Sequence, residues 1–205
     1  ITYNALISAC ASGLQCERAL GLLGLMRERE VGQSTITYNA VISACARGRR
    51  WIAALGCLVE MQRQSHDPNT ITYNALICAC GKGQDWQAAL ALLAEMQRRD
   101  LSPDTISFNS AVSACEKGRQ WDRACLLLGA MQDRRVPANT VTYNAAISAC
   151  GKGQQWGSAM ALLREMQARR ITVDAITYNA AISACATEEH WQDALGLLER
   201  MAGEG

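Results

Sequence analysis

The sequence predicts an all-α fold, a solenoid made by stacking helix–turn–helix repeats, and three observations predict it. The stretch Ile36-Thr37-Tyr38-Asn39-Ala40-Val41-Ile42-Ser43-Ala44-Cys45 recurs with small changes from Ile1, Ile71, Ile106, Val141 and Ile176, each copy starting 35 residues after the last. A fixed period of this size marks a stacked-repeat protein. Every period carries two apolar stripes at helical spacing, each followed by a helix-breaking signal. The 205 residues divide into units at 1–35, 36–70, 71–105, 106–140, 141–175 and a shorter 176–205, which leaves no segment for a separate catalytic domain.

The second unit serves for all. Tyr38, Val41, Ile42 and Cys45 fall at i, i+3, i+4 and i+7, one face of a first helix. Gly48 then stops it, as Gly13, Gly83, Gly118 and Gly153 do in their copies, because glycine readily takes the left-handed conformation that closes a helix. A second helix follows on Trp51, Ala54, Leu55, Leu58 and Met61. The polar segment His66-Asp67-Pro68-Asn69-Thr70 ends the unit, and Pro68 forbids helix through it. Neither helix buries its stripe alone, so the units must stack into a curved array with an inner and an outer face. Ala44, Ala79, Ala114, Ala149 and Ala184 permit close approach of the inner helices. Tyr3, Tyr38, Tyr73, Phe108, Tyr143 and Tyr178, with Trp51, Trp86, Trp121, Trp156 and Trp191, read as core, since their spacing matches the stripes and aromatics bury large areas.

The end units depart from this pattern. Cys16 stands where other copies have tryptophan and Glu188 where they have the turn glycine. Neither end shows the polar cap that arrays usually need, so frayed ends or missing neighbours are expected. The chain opens at Ile1 with no signal-like leader, and reads as a piece of a longer protein.

Composition narrows the function classes. A hydrophobic content of 49% with three prolines fits a folded helical chain. No apolar run approaches the ~18 residues that span a bilayer, so no membrane partner is expected. A net charge of +1 makes no bulk electrostatic case for nucleic acid. Of ten cysteines, Cys10, Cys45, Cys80, Cys115, Cys150 and Cys185 share one place in the repeat, while Cys16, Cys57, Cys78 and Cys125 are scattered. No C-x-x-C pair has a matching partner, so no metal site is indicated and the cysteines read as small buried thiols, which favours a reducing compartment or a chain without structural disulfides. His66 and His190 are the only histidines and occupy different places, with no carboxylate recurring beside them; no enzyme, small-molecule substrate or cofactor is indicated. Gly81-Lys82-Gly83-Gln84 and Gly151-Lys152-Gly153-Gln154 lack the earlier glycine and the Ser/Thr of a phosphate loop.

What recurs without a packing reason is polar. Asn4, Asn39, Asn74, Asn109, Asn144 and Asn179 occupy one place in all six copies, and an amide can donate and accept at a base edge. Two residues before each new unit's apolar starter stand Ser34, Asn69, Asp104, Asn139 and Asp174, always short and polar but not constant. One fixed and one variable polar place per repeat suits a modular reader. Both places equally suit helix caps and turns, where Asn, Asp and Ser are favoured. Arg47, Lys82, Lys117 and Lys152 share a third place, with Ser12 and Thr187 there in the end copies. One cation per unit would track a phosphodiester backbone; a cation at a helix C-terminus is also favourable by itself.

The unit Ile71-Thr72-Tyr73-Asn74-Ala75-Leu76-Ile77, with Glu95-Met96 late in the second helix and the closing Ser102-Pro103-Asp104, resembles the pentatricopeptide repeat of the pure 35-residue type, over the whole chain. The resemblance implies a right-handed superhelix that binds single-stranded RNA, one base per repeat, N-terminus toward the RNA 5′ end. It makes the base-reading residues Asn4, Asn39, Asn74, Asn109, Asn144 and Asn179, with Ser34, Asn69, Asp104, Asn139 and Asp174 as partners and no sixth partner in the sequence. Ile1, Ile36, Ile71, Ile106, Val141 and Ile176 would sandwich the bases, and Arg47, Lys82, Lys117 and Lys152 would contact phosphates. In that family Asn with Asp favours uracil, Asn with Asn cytosine or uracil, and Asn with Ser cytosine, so a pyrimidine tract is expected. It also implies a mitochondrial or chloroplast location, a role in RNA processing, stability or translation, and protein partners for flanking regions. The alternative is a protein- or peptide-binding scaffold, since related helical arrays hold peptides in the same groove.

Overall fold

The computed structural model describes residues 2–185 and 190–204; Ile1, Thr187 and Glu188 lie outside the described residues. All regular structure among the described residues is helical. The order is α1 (Thr2–Ser12), α2 (Cys16–Glu28), α3 (Thr35–Arg47), α4 (Trp51–Arg63), α5 (Thr70–Lys82), α6 (Trp86–Arg98), α7 (Thr105–Lys117), α8 (Trp121–Asp133), α9 (Thr140–Lys152), α10 (Trp156–Ala168), α11 (Ala175–Cys185) and α12 (Trp191–Glu204). The helices group into two compact units, Ile1–Pro103 and Asp104–Gly205.

Each unit is an all-α solenoid of helix pairs. In the first, α1, α3 and α5 stack directly on one another, and α2 and α4 each pack against their own first helix and the next. In the second, α7, α9 and α11 stack, with α8 and α10 seated likewise. A first helix therefore has neighbours on several sides, and α3 buries Thr37, Tyr38, Val41, Ile42, Ala44, Cys45 and Ala46 rather than one stripe. The second helices keep one buried stripe, as in α6 with Ala89, Leu92, Leu93 and Met96. That is the difference between a helix inside a stack and one lying on its surface.

The predicted core is present, with one correction. Tyr38, Tyr73, Phe108, Tyr143 and Tyr178 are buried, as are Ala44, Ala79, Ala114, Ala149 and Ala184, whereas Tyr3 is only half-buried. The phenol oxygens of Tyr73 and Tyr143 donate to Glu95 and Glu165 at 2.9 and 3.0 Å. Burial, helped by those carboxylates, pushes both phenols up to about 12. The tryptophans are not core in this sense. Trp51, Trp86, Trp121 and Trp156 are half-buried, and Trp191 is exposed. At Gly83 and Gly153 the tryptophan of the preceding pair, Trp51 or Trp121, lies against the helix-ending glycine.

A second correction follows from the first. The helix-ending glycines were expected to supply the left-handed conformation, yet Gly48, Gly83, Gly118 and Gly153 have φ of −77°, −78°, −78° and −90°. The left-handed residue is the next one, Arg49, Gln84, Arg119 or Gln154, with φ between 56° and 63°. The second helices also end on non-glycine left-handed residues, Glu30, Ser65, Asp100, Arg135 and Arg170. These ends close by the bond of the Schellman motif, in which an N–H reaches back five residues, as from Gln155 to the Cys150 carbonyl at 2.9 Å and from Val136 to that of Met131 at 2.8 Å. Space, not φ, demands the glycine. A Cβ on Gly153 would sit 2.5 Å from Cδ1 of Trp121, and one on Gly83 closer still to Trp51.

Candidate nucleic-acid interface

The exposed stripe of a first helix is short and repeated. On α3 it runs Ile36, Asn39, Ala40, Ser43 and Arg47, at i, i+3, i+4, i+7 and i+11, all outside the buried set. The corresponding residues are Ile71, Asn74, Ala75, Cys78 and Lys82 on α5, and Val141, Asn144, Ala145, Ser148 and Lys152 on α9. Apolar starter, amide, small residue and cation thus share one face of each helix. The small residues leave that face low.

Its first feature is an apolar one with no packing partner. Ile36, Ile71, Ile106, Val141 and Ile176 are 60–70% exposed, whereas α3, α5, α7 and α9 bury their other large aliphatics completely. A β-branched residue on the first turn of a helix gains little from facing water, and its repetition at one place leaves a flat apolar surface beside each amide. Ile1, the sixth, lies outside the described residues.

The second feature is the polar rung. Ser34, Asn69, Asp104 and Asn139 are the N-caps of α3, α5, α7 and α9, each accepting from the backbone N–H three residues on. The third helical residue, Thr37, Thr72, Ser107 or Thr142, closes a capping box by accepting the cap's own N–H. So the capping reading holds. The fixed asparagine of the preceding repeat then joins the same cluster. Asn39 Nδ2 donates to Asn69 Oδ1 at 3.3 Å, Asn109 Nδ2 to Asn139 Oδ1 at 3.2 Å, and Asn144 Nδ2 lies 3.1 and 3.2 Å from the two Asp174 oxygens. Fixed and variable places are one hydrogen-bonded unit across adjacent repeats. Asn74 and Asp104 lie in different compact units. Ser34, lacking a carbonyl, caps α3 through Thr37 without bonding Asn4. Asn179 is exposed, and no residue of the sequence stands at its partner's place.

Sequence reasoning passed over the hydroxyl residues that complete the rung. Thr37, Thr72, Ser107, Thr142 and Thr177 are the buried polar side chains of the described core, all 0% exposed. Thr37, Thr72, Thr142 and Thr177 donate to Oδ1 of Asn4, Asn39, Asn109 and Asn144 at 2.8, 2.6, 2.5 and 2.5 Å. The available signal was a hydroxyl kept at a place where the helix otherwise buries apolar groups. Asp174 shows the polarity of the cluster. Burial alone would raise its pKa, but the backbone N–H and hydroxyl of Thr177, the Asn144 amide and the Ile176 N–H together hold its carboxyl below the usual aspartate value.

Among the cations, Arg47, Lys117 and Lys152 are exposed and Lys82 is half-exposed, all in the last turn of a first helix. Lys152 is engaged. Its Nζ lies 2.5 Å from Glu116, which also accepts from Ser148 at 3.0 Å. Cys45, Cys80, Cys115, Cys150 and Cys185 are buried as expected, while Cys10 is half-buried. Burial pushes the Cys80 and Cys115 thiols up to about 11. Three of the scattered cysteines pack on a periodic one: Cys16 Sγ is 2.9 Å from Cys45, which also hydrogen-bonds Cys57, and Cys125 is 3.7 Å from Cys150. His190 stacks on Trp156 with ring centroids 3.8 Å apart, and His66 lies 5.6 Å from Tyr38. Among the described residues no group of three or more His, Cys, Asp or Glu is placed to hold a metal ion, and no helix is long and apolar enough to cross a membrane.

The PPR repeat family matches residues 33–82, 68–117, 103–152 and 138–187, the pentatricopeptide repeat domain family matches residues 1–48, and the PPR repeat matches residues 176–205. No curated protein matches the chain in sequence. Among solved structures it is similar to the pentatricopeptide repeat protein PPR10 from maize, with 26% identity and a TM-score of 0.73 over 100% of this chain and 29% of that one. PPR10 in complex with an 18-nt psaJ RNA element is 19% identical, with a TM-score of 0.51 over 100% of this chain and 40% of that one. The PPR domain of Arabidopsis thaliana protein-only RNase P 1, solved with tRNA, is 16% identical, with a TM-score of 0.75 over 92% of this chain and 96% of that one.

Proposed function

Since this chain belongs to the pentatricopeptide repeat family, we propose that it binds single-stranded RNA, one base per repeat, along the exposed stripes of its first helices. The observation that carries this reading is the pairing, in successive repeats, of an exposed β-branched residue with a polar rung. Ile36, Ile71, Ile106, Val141 and Ile176 offer apolar faces on which flat bases stack, and Asn39, Asn109 and Asn144 with their caps offer hydrogen bonds at the base edge. Arg47, Lys82 and Lys117 supply the phosphate contacts, with Lys152 partly withdrawn onto Glu116. The bound RNAs named for the solved relatives agree with this ligand class.

The pairs Asn4/Ser34, Asn39/Asn69, Asn74/Asp104, Asn109/Asn139 and Asn144/Asp174 then read C, C or U, U, C or U, and U. Asn179 takes a further pyrimidine. The function is organellar RNA metabolism, in mitochondrion or chloroplast, by binding rather than by catalysis.

The test is a panel of short RNAs differing only at the third base. Wild type binds best with uracil there, and Asn74→Thr with Asp104 retained shifts the preference toward guanine. Equal affinities for all four bases in both proteins sink the base-reading proposal. Failure to bind any oligonucleotide, purine or pyrimidine, favours a peptide-binding scaffold instead.

A further inference from the structure

We infer that the buried hydroxyl of each following repeat is a positioning residue that sets the polarity of the base-reading amide, so that specificity at one base depends on a residue one repeat away that never touches it. The inference rests on the proposed RNA reading. Thr142 shows the geometry. Its Oγ1 accepts the Asn139 backbone N–H at 3.0 Å, so its single hydrogen is free to donate. Two acceptors compete for it, Asn139 Oδ1 at 3.1 Å and Asn109 Oδ1 at 2.5 Å, and the closer one belongs to the amide of the preceding repeat. The same arrangement recurs at Thr72 with Asn39 and at Thr177 with Asn144.

The consequence is a fixed orientation of the asparagine. An amide has one accepting oxygen and two donating hydrogens. With Oδ1 turned inward onto the buried threonine and one Nδ2 hydrogen given to the cap, the second Nδ2 hydrogen is the group left over for a base. Such a rung asks for an acceptor; every base carries one, so the orientation decides which edge atom is met, and for cytosine and uracil that is a carbonyl oxygen or ring nitrogen. Turned the other way, the amide would offer oxygen and select exocyclic amino groups instead. The buried hydroxyl is the core's share in fixing that orientation, beside the cap oxygen that accepts the other Nδ2 hydrogen.

Thr142→Val keeps the shape of the side chain and removes the donor, whereas Thr142→Ser keeps the donor. Binding is measured with RNAs varied at the fourth base and, separately, at the second. Thr142→Val is expected to reduce the pyrimidine preference at the fourth base by about fivefold, the worth of one neutral hydrogen bond. The preference at the second base stays unchanged, and Thr142→Ser restores the fourth. A Thr142→Val protein that weakens all sequences equally, or keeps its fourth-base preference, overturns the inference while leaving the RNA reading intact. A wild type with no preference at that base removes the RNA reading and the inference together. Should Thr142→Val fail to fold, Thr177→Val tests the fifth base in the same way. An independent check is nitrogen-15 NMR, where the side-chain amide of Asn109 exchanges more slowly in wild type than in Thr142→Val. Equal exchange in the two proteins overturns the inference.

Discussion

The first and second helices of each pair are the same length through the middle of the chain, thirteen residues in α3 to α10, yet their N-termini are held by different means. First helices begin at an extended Ser, Asn or Asp with a complete capping box. Among α2, α4, α6, α8 and α10, four begin at Gln15, Arg50, Gln120 or Gln155 without a side-chain cap, and only α6 has one, Asp85 accepting from the Ala88 N–H at 2.9 Å. The first-helix cap is therefore used twice, once to close the helix and once as partner of the asparagine. Its variation is confined to Ser, Asn and Asp because those residues cap. On the RNA reading, the choice of base is written in the alphabet that helix termini allow.

The largest expected effect tests how the two kinds of helix are pinned to each other. Gly153→Ala places a methyl against Trp121 at the start of α8 and is expected to cost about 1–3 kcal/mol in urea unfolding, as overpacking does. Gly157→Ala, where an added Cβ meets nothing, should not destabilise the protein. If the two variants unfold together, the tryptophan is not the reason for the glycine.

Next comes the cap itself. Asn139→Ala is expected to cost about 1 kcal/mol, while Gln155→Ala at the equivalent place of a second helix changes stability by no more than a few tenths. Equal losses would abolish the distinction between the two helix types.

Asp174 adds a pH signature to its cap. Because its folded pKa lies below the ordinary value of 3.8, the ionised form contributes stability that is fully present above that value and is lost as pH falls through the folded pKa. The stability difference between wild type and Asp174→Asn should thus be constant from pH 7 to about pH 5 and shift against wild type below about pH 4. A difference independent of pH would mean that the carboxylate charge is not used.

The smallest effect concerns the helix ends. Arg135, at φ 57°, occupies a conformation that glycine adopts freely, so Arg135→Gly is expected to raise stability by a few tenths of a kcal/mol, relief of strain being largely offset by the freer unfolded chain. A loss of 1 kcal/mol or more would show that the arginine side chain is needed there.

Much of this was legible from periodicity. A period of 35 with two stripes gave the helices, the buried Tyr, Ala and Cys positions, and the two polar places of each rung, since a residue repeated in register must meet the same surroundings each time. Other parts were not legible. Gly153 was assigned to backbone conformation because that is glycine's commonest use at a helix end, and only the neighbouring Trp121 revealed a steric role. Thr142 was given no role by the sequence. Its importance lies in three partners, Asn109, Asn139 and its own helix terminus, two of them far from each other in sequence.

The sequence by itself determined the architecture and the positions that vary, because both are local or periodic properties of the chain. Tertiary structure decided how those positions are joined: a cap shared with the preceding repeat's amide, a buried hydroxyl orienting that amide, and a tryptophan excluding any side chain from the next glycine. Each of these contacts spans about one full repeat, and a pattern that is identical in every repeat cannot say which of its members meet across the gap.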